Sequence, residues 1–293
     1  MASSWPPTAI IGGNSSIARH LLRLLPGARC IARRGAHEGT ISVGRYADVE
    51  ASHLAGAEVV INCAGIVSGE ADALRAVNVE LQRRLAEIAH QAGARRYIAI
   101  SSFSVFGPRT WIDEHSPEDP HDDYGASKRD GDKALRRLNA YGFETVSVAF
   151  PAIIGTTRPG KVERMLRWWR RFRFLPTPHP DIRRSMIGAE AAAQVLVGVA
   201  RSERSGRILA ADPVPFSFQN AASWLREDAG FELYRLPVPQ IATEVLRKAA
   251  PRFHASMMSD SLLDPQSNVA VSQGWRSTLR RELVGSVVSG VSK

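Results

Sequence analysis

Tyr124 and Lys128 stand four residues apart in the stretch Tyr124-Gly125-Ala126-Ser127-Lys128. In a helix both side chains leave from one face, so the ammonium lies beside the phenol. A free phenol titrates near ~10, and bringing it towards ~7 takes about 4 kcal/mol of differential stabilisation, part of which an adjacent cation supplies. A tyrosine so placed gives a proton to a carbonyl oxygen, or removes one from an alcohol. Taken alone the pair also fits an ordinary exposed i,i+4 couple. Upstream, Ile100-Ser101-Ser102-Phe103-Ser104 closes an apolar, strand-like run and offers hydroxyls at its end.

A second set of residues suits phosphate. Ile10-Ile11-Gly12-Gly13-Asn14-Ser15-Ser16-Ile17 follows the first apolar run and opens a helix, where backbone N–H groups and the helix dipole can hold a pyrophosphate. Gly12 gives the tight turn, and Asn14, Ser15, Ser16 and Ile17 are the cofactor-binding candidates beside it. After the second run comes Cys30-Ile31-Ala32-Arg33-Arg34. Guanidinium groups bind a 2′-phosphate bidentately, whereas an acidic residue there would repel it. An ordinary βα turn and a solvated basic turn are the plainer readings of these two segments.

Parallel βαβ units are what would position such residues. Short apolar runs at Thr8–Gly12, Arg29–Ala32, Glu58–Cys63, Arg96–Ser101 and Thr145–Phe150 alternate with amphipathic stretches at Ser16–Leu25, Ala71–Ala92 and Tyr124–Asn139. In the middle stretch Leu74, Val77, Leu81, Leu85, Ile88 and Ala89 recur at three and four, predicting one buried helix face. The fold class expected is α/β: a doubly wound parallel sheet of Rossmann type over residues 1–150, with a smaller, partly interleaved substrate region over 151–293. Beyond Pro151 the pattern turns to Pro-rich turns and an arginine and tryptophan stretch, Arg164–Phe174. That stretch fits base stacking, contact with an anionic membrane surface, or a helix packed by Leu166, Trp169 and Phe172; packing is favoured.

Composition narrows the classes further. A 293-residue chain with 44% hydrophobic and 23% charged residues buries a full core, which sets disorder aside. No apolar run approaches the ~18 residues of a membrane span, and the N-terminal residues carry no signal-like pattern. Cys30 and Cys63 both lie in apolar runs, which suits reduced thiols in a cytoplasmic protein. The histidines follow no metal-ligand spacing, so no metal is expected. A net charge of +9 raises nucleic acid, but the arginines are spread along the chain; an anionic small ligand fits better and no nucleic-acid partner is expected.

The two motifs together carry a family resemblance. Ser101-Ser102-Phe103-Ser104-Val105-Phe106-Gly107 followed by Tyr124-Gly125-Ala126-Ser127-Lys128 resembles the Ser-Ser-x-x-Val-Tyr-Gly and Tyr-x-x-x-Lys motifs of the extended short-chain dehydrogenases, the NAD-dependent epimerases, dehydratases and ketoreductases of nucleotide sugars. Phe106 replaces the commoner tyrosine. Val77-Asn78-Val79, Arg183-Arg184-Ser185-Met186-Ile187 with Glu190, and Gly274-Trp275-Arg276 fit further family segments. Two departures stand out: the Gly-x-x-Gly-x-x-Gly spacing reads Gly12, Ser15, Ala18, and Ala149 stands where relatives commonly carry arginine. A Cβ at Ser15 crowds the approach of phosphate, while its hydroxyl can donate a hydrogen bond in compensation.

The resemblance implies Ser102, Tyr124 and Lys128 as the catalytic trio, Tyr124 as proton donor and Ser102 as the hydrogen-bond donor to the reacting oxygen. It implies cofactor contacts at Asp48 and Val49 (adenine), at Cys63, Ala64 and Gly65, where small residues let backbone lie along the cofactor, and at Asn78, Ser101, Pro151 and Ile153. Arg183 and Arg184, with Ser104, are the implied substrate contacts, an arginine there meeting the diphosphate of a nucleotide sugar. The expected activity is reduction of the 4-keto group of a nucleotide sugar with NADP(H), preferred because of Arg33 and Arg34, or with NAD(H). The alternatives are an NAD-retaining C4 epimerase, and a non-catalytic cofactor sensor or RNA-binding relative on the same scaffold. A homodimer is compatible with all of these.

Overall fold

The computed structural model describes residues 5–35, 38–178, 181–250, 259–272 and 277–289. Gly274-Trp275-Arg276 lies outside them. In order run β1 (Thr8–Ile11), α1 (Ser16–Leu24), β2 (Arg29–Ala32), β3 (Ile41–Ser42), α2 (Ala51–Leu54), β4 (Val59–Asn62), α3 (Ala71–Arg75), α4 (Gln82–Gln91), β5 (Arg96–Ser102), β6 (Trp111–Ile112), α5 (Asp123–Arg136), β7 (Glu144–Phe150), β8 (Ala152–Ile154), α6 (Lys161–Phe172), β9 (Phe174–Pro178), β10 (Met186–Gly188), α7 (Ala189–Arg201) and β11 (Gly206–Leu209). The elements that follow include α8 (Phe218–Ala229), β12 (Tyr234–Val238), β13 (Leu262–Leu263) and a helix at Leu279–Ser289. They form two compact units, one of Met1–Gly107, Glu114–Phe150 and Ala192–Ala210, the other of Pro108–Asp113, Pro151–Ala191 and Ala211–Lys293.

The first unit is built on a seven-stranded sheet in the order β11-β7-β5-β4-β1-β2-β3. Every pairing is parallel. β1 and β4 are buried at every position, as β-branched runs covered on both faces must be. The chain winds outward one way from β1 to β3 and the other way from β4 to β11, so the order reverses between β1 and β4. The carboxyl ends of strands at such a switch point are where open α/β sheets take their ligands. Ile11, Ile31, Val60, Tyr97 and Phe143 belong to one core, with Leu85 and Ala89 of α4 packed into it.

The segment 71–92 departs from the even helix that its spacing predicts. Between α3 and α4 the residues Ala76–Leu81 form a π-helical insert. One extra residue per turn rotates the helix, so the buried line runs through Leu74, Asn78, Gln82, Leu85 and Ala89, and Val77 and Leu81 are only half-buried.

Among the described residues, the second unit contains three two-stranded parallel pairs, β8 with β10, β9 with β12 and β6 with β13. Its core gathers Leu166, Leu175, Phe216, Phe218, Leu225 and Leu283, with Met165 and Trp169 against it. α6 therefore packs, but through Val162, Leu166 and Trp169; Phe172 is 49% exposed and Trp168 56%. Phe172 lies one turn beyond Trp168, on the outer side of the helix. No helix of the described residues is long and apolar enough to cross a membrane.

Candidate active site

β5 ends at Ser102, and the next four residues, Phe103–Phe106, turn sharply as a 3-10 segment. The Ser102 hydroxyl oxygen accepts the Ser104 N–H at 3.2 Å and lies 3.2 Å from the Ser104 hydroxyl. α5 opens at Asp122, whose carboxylate caps the helix by accepting the Gly125 N–H at 2.7 Å. Tyr124 lies in the first turn, with its phenol close enough to the Ser102 side chain for the serine to pull its pKa down. Gly125 makes this approach practicable, since a Cβ there would run into the Ser104 carbonyl oxygen.

Lys128 follows one turn later and is 6% exposed. Its ammonium donates to the Ile100 carbonyl at 3.0 Å. Burial pushes its pKa down to about 8, against the pull of Asp132 in the other direction. Burial also raises the Tyr124 phenol above its ordinary value; the Ser102 side chain opposes this, while Asp122 and Asp132 add to it. A phenol raised above its ordinary value stays protonated at neutral pH, the state a proton donor requires.

The π insert places Asn78 against this helix. Its Nδ2 donates to the Ile66 carbonyl at 2.9 Å and to the Ser127 hydroxyl at 3.0 Å, and its Oδ1 accepts the Ile66 N–H at 3.2 Å. Ser127 in turn donates to the Tyr124 carbonyl at 2.8 Å. Asn78 thus ties the loop after β4 to the turn that carries Tyr124 and Lys128. Gly131 permits the close packing, because a Cβ would strike the Asn78 carbonyl oxygen.

Of the residues named for the dinucleotide, Gly12, Asn14, Ser15, Ser16, Ile17, Arg33, Arg34, Cys63, Ala64 and Gly65 follow the ends of β1, β2 and β4. Gly12 has φ +95°, and a Cβ there would lie 2.7 Å from the Ala64 nitrogen and the Cys63 carbonyl carbon. Only glycine fits this turn. Ser15 caps α1, its hydroxyl oxygen accepting the Ala18 N–H at 3.1 Å. A Cβ at Gly65 would stand 3.3 Å from Asn78 Oδ1 and 3.4 Å from Lys128 Nζ, so a bare backbone edge faces the ammonium. This cradle fits a dinucleotide: Gly12, Asn14, Ser15, Ser16 and Ile17 would hold its phosphates, with Cys63, Ala64 and Gly65 alongside. Arg33 and Arg34 are exposed beyond β2, the Arg33 guanidinium 5.9 Å from the centre of the Tyr46 ring. Asp48 is paired with Arg45 at 2.9 Å, and Val49 is buried in the core. The Ser101 hydroxyl donates to Asp132 at 2.7 Å and is thereby turned into the fold.

Pro151, Ile153, Arg183 and Arg184 belong to the second unit. Ile153 sits on β8, paired with Ile187 of β10. Arg183 is exposed, with its backbone N–H held by Asp260 at 2.7 Å. Arg184 is half-buried, and its guanidinium donates to the Ser259 carbonyl at 2.5 Å. Burial lowers its pKa, opposed by Asp260.

Sequence reasoning missed three residues around α5. Asp132 is 2% exposed and accepts both Ser101 and Arg207, and Glu118 meets Lys133, Arg136 and Arg207. Asp132 had a visible signal, its place four residues after Lys128. Arg207 had none.

A parallel sheet reversing at its centre, a glycine turn opening α1, and a serine, tyrosine and buried lysine beside it define a Rossmann-fold protein of the extended short-chain dehydrogenase/reductase type. The chain belongs to the NAD dependent epimerase/dehydratase family, whose model matches residues 9–173. It is 32% identical over 203 residues to the uncharacterized protein y4nL of Sinorhizobium fredii, a match covering 63% of this chain and 57% of that protein. It is 31% identical over 180 residues to the uronate dehydrogenase of Pseudomonas syringae, covering 56% of this chain and 64% of the relative. The matches thus span less than two thirds of either curated relative. The UDP-glucuronic acid 4-epimerase of Bacillus cereus, solved in complex with NAD, shares the fold at a TM-score of 0.73 and 14% identity, with 96% of this chain and 95% of that one covered.

Proposed function

We propose that this protein reduces the 4-keto group of a nucleotide-diphosphate sugar with NADP(H), Tyr124 giving the proton. The observation that carries the chemistry is the Tyr124 phenol beside the Ser102 side chain, one helical turn from a buried lysine. When bound, the nicotinamide cofactor supplies the hydride. Tyr124 passes its proton to the carbonyl oxygen as negative charge develops there, and Ser102 donates a hydrogen bond to the same oxygen. Lys128 stabilises the phenolate left behind, and its bond to the Ile100 carbonyl holds the ammonium in place. The Ser104 hydroxyl lies 3.2 Å from that of Ser102 and is assigned to the substrate.

Arg33 and Arg34, exposed beyond β2, support NADP(H) over NAD(H). Replacing both with alanine is expected to weaken NADP(H) by ~1.5–3 kcal/mol for each charged hydrogen bond lost, with NAD(H) little changed. Titration calorimetry of parent and variant with both cofactors checks this. Equal affinities in the parent contradict it and favour the NAD-retaining epimerase.

For the substrate, Arg183 is the stronger of the two arginine candidates, since its guanidinium is exposed while that of Arg184 is engaged with Ser259. Arg183→Ala should raise KM more than it lowers kcat, because a diphosphate away from the reacting carbon binds alike in ground and transition states. Calorimetry with UDP, GDP and dTDP tests the class directly: one of them binds the parent measurably and binds Arg183→Ala at least ~10-fold more weakly, the factor that 1.4 kcal/mol gives. A second reading follows from the uronate dehydrogenase match: oxidation of a sugar acid that carries no nucleotide. Binding of none of the three diphosphates, with cofactor reduced by glucuronate, would select it.

A further inference from the structure

Ser102 comes from the end of β5, whereas Tyr124 and Lys128 come from α5, and one guanidinium stands against both α5 and the turn that follows β5. Arg207, on β11, donates through Nε and Nη2 to Asp132 Oδ2 at 3.1 and 3.0 Å. Its Nη2 also stands 2.8 Å from Glu118 Oε1, and its Cζ lies 5.5 Å from the centre of the Phe106 ring. Phe106 closes the turn that begins directly after Ser102. Asp132 stands one helical turn beyond Lys128, and the oxygen that takes Arg207 also accepts the Ser101 hydroxyl. A largely buried ion pair is a poor device for stability alone, since apolar residues of similar volume serve as well or better. Its placement beside the lysine gives it another use.

We propose that Asp132 and Arg207 are positioning residues that set the charge on Lys128, Asp132 favouring the ammonium and Arg207 opposing it. The inference rests on the reading of Lys128 as the partner of Tyr124. Around Lys128, α5 itself contributes Tyr124 and Asp132, with Asp122 at its cap; against Asp132 stands Arg207 of β11, which also meets Glu118 of the loop before α5. The facing parts of β5 and the π insert contribute the neutral groups Ile100 carbonyl, Ser101 and Asn78. On the neighbouring helices Arg75 pairs with Glu80 and Arg83 with Glu87, and Asp72 and Arg84 are exposed, while Arg96 and Glu144 pair at the far ends of β5 and β7.

Removing the two charges one at a time must then move Lys128 in opposite directions. The chain has five lysines, Lys128, Lys133, Lys161, Lys248 and Lys293, so selective carbon-13 labelling of lysine Cε resolves them by NMR, and Lys128→Arg assigns the resonance. In the parent the Lys128 midpoint is expected near its value of about 8. Asp132→Asn, which keeps the shape and the acceptor for Ser101, should lower that midpoint by roughly one pH unit or more, as loss of a close opposite charge does. Arg207→Gln should raise it, the double variant should fall between the two, and Arg207→Lys should leave it near the parent. If Arg207→Gln does not fold, the contrast of Asp132→Asn with Arg207→Lys and the double variant carries the same test. Midpoints that stay fixed in the folded variants, or that shift with one sign in both single variants, would overturn the inference. The titration needs no substrate: failure to turn over any keto sugar would count against the proposed reaction and leave the NMR result to decide the role of the pair.

Discussion

Tyr124→Phe should bind the nicotinamide cofactor as the parent does and turn over at least ~10²-fold more slowly, the usual contribution of a positioned proton donor. The substitution removes one hydroxyl and keeps the ring where it packs, so the loss reports the proton rather than the fold. Steady-state rates with calorimetry on the same preparations measure both halves. Unchanged turnover in this variant would remove Tyr124 from the chemistry.

Lys128→Met should lose activity at least as completely and yet unfold at a higher temperature. A lysine held near pH 8 when folded and titrating near its ordinary 10.5 when unfolded weighs against folding by about 3 kcal/mol at neutral pH. The unfolded chain holds the proton more tightly, so this cost is full below the folded value and fades as pH climbs from about 8 towards 10.5. Methionine fills a similar volume without the charge. It forgoes the bond to Ile100 and leaves Asp132 without a nearby ammonium, which limits the gain but not its direction. Thermal unfolding across the alkaline range is the check: the advantage of the variant over the parent should shrink as pH rises. A variant less stable than the parent at pH 7, with no such trend, would contradict the idea that the lysine is kept for function at the expense of stability.

What could be read from the chain was what repeats locally. β1, β2, β4, β5 and β7 appear within a residue or two of the expected runs because strands buried on both faces read as unbroken apolar stretches. Tyr124, Lys128 and the Gly12 turn were legible because each motif lies within one turn of chain. β3 and β11 were not, being edge strands of two and four residues with little pattern to offer. The π insert escaped because a bulge leaves no mark in a spacing count, although the buried Asn78 and Gln82 at off-pattern positions are its trace. The pairing of Asp132 with Arg207 joins residues on α5 and β11, and no periodicity links positions so far apart. Arg183 and Arg184 look alike in the sequence; only the fold separates an exposed guanidinium from one committed to the Ser259 carbonyl.

In the proposed reaction hydride passes from a nicotinamide to a sugar carbonyl beside Tyr124. Incubating the parent with NADPH deuterated at C4, separately on each face, and with a panel of 4-keto nucleotide sugars measures this by the mass of the product. The expected result is one deuterium in the reduced sugar from one of the two labelled faces, with the reduced cofactor consumed in step and the transfer nearly abolished in Tyr124→Phe. Bound cofactor that yields no deuterium to any carbonyl sugar, from either face, would contradict it.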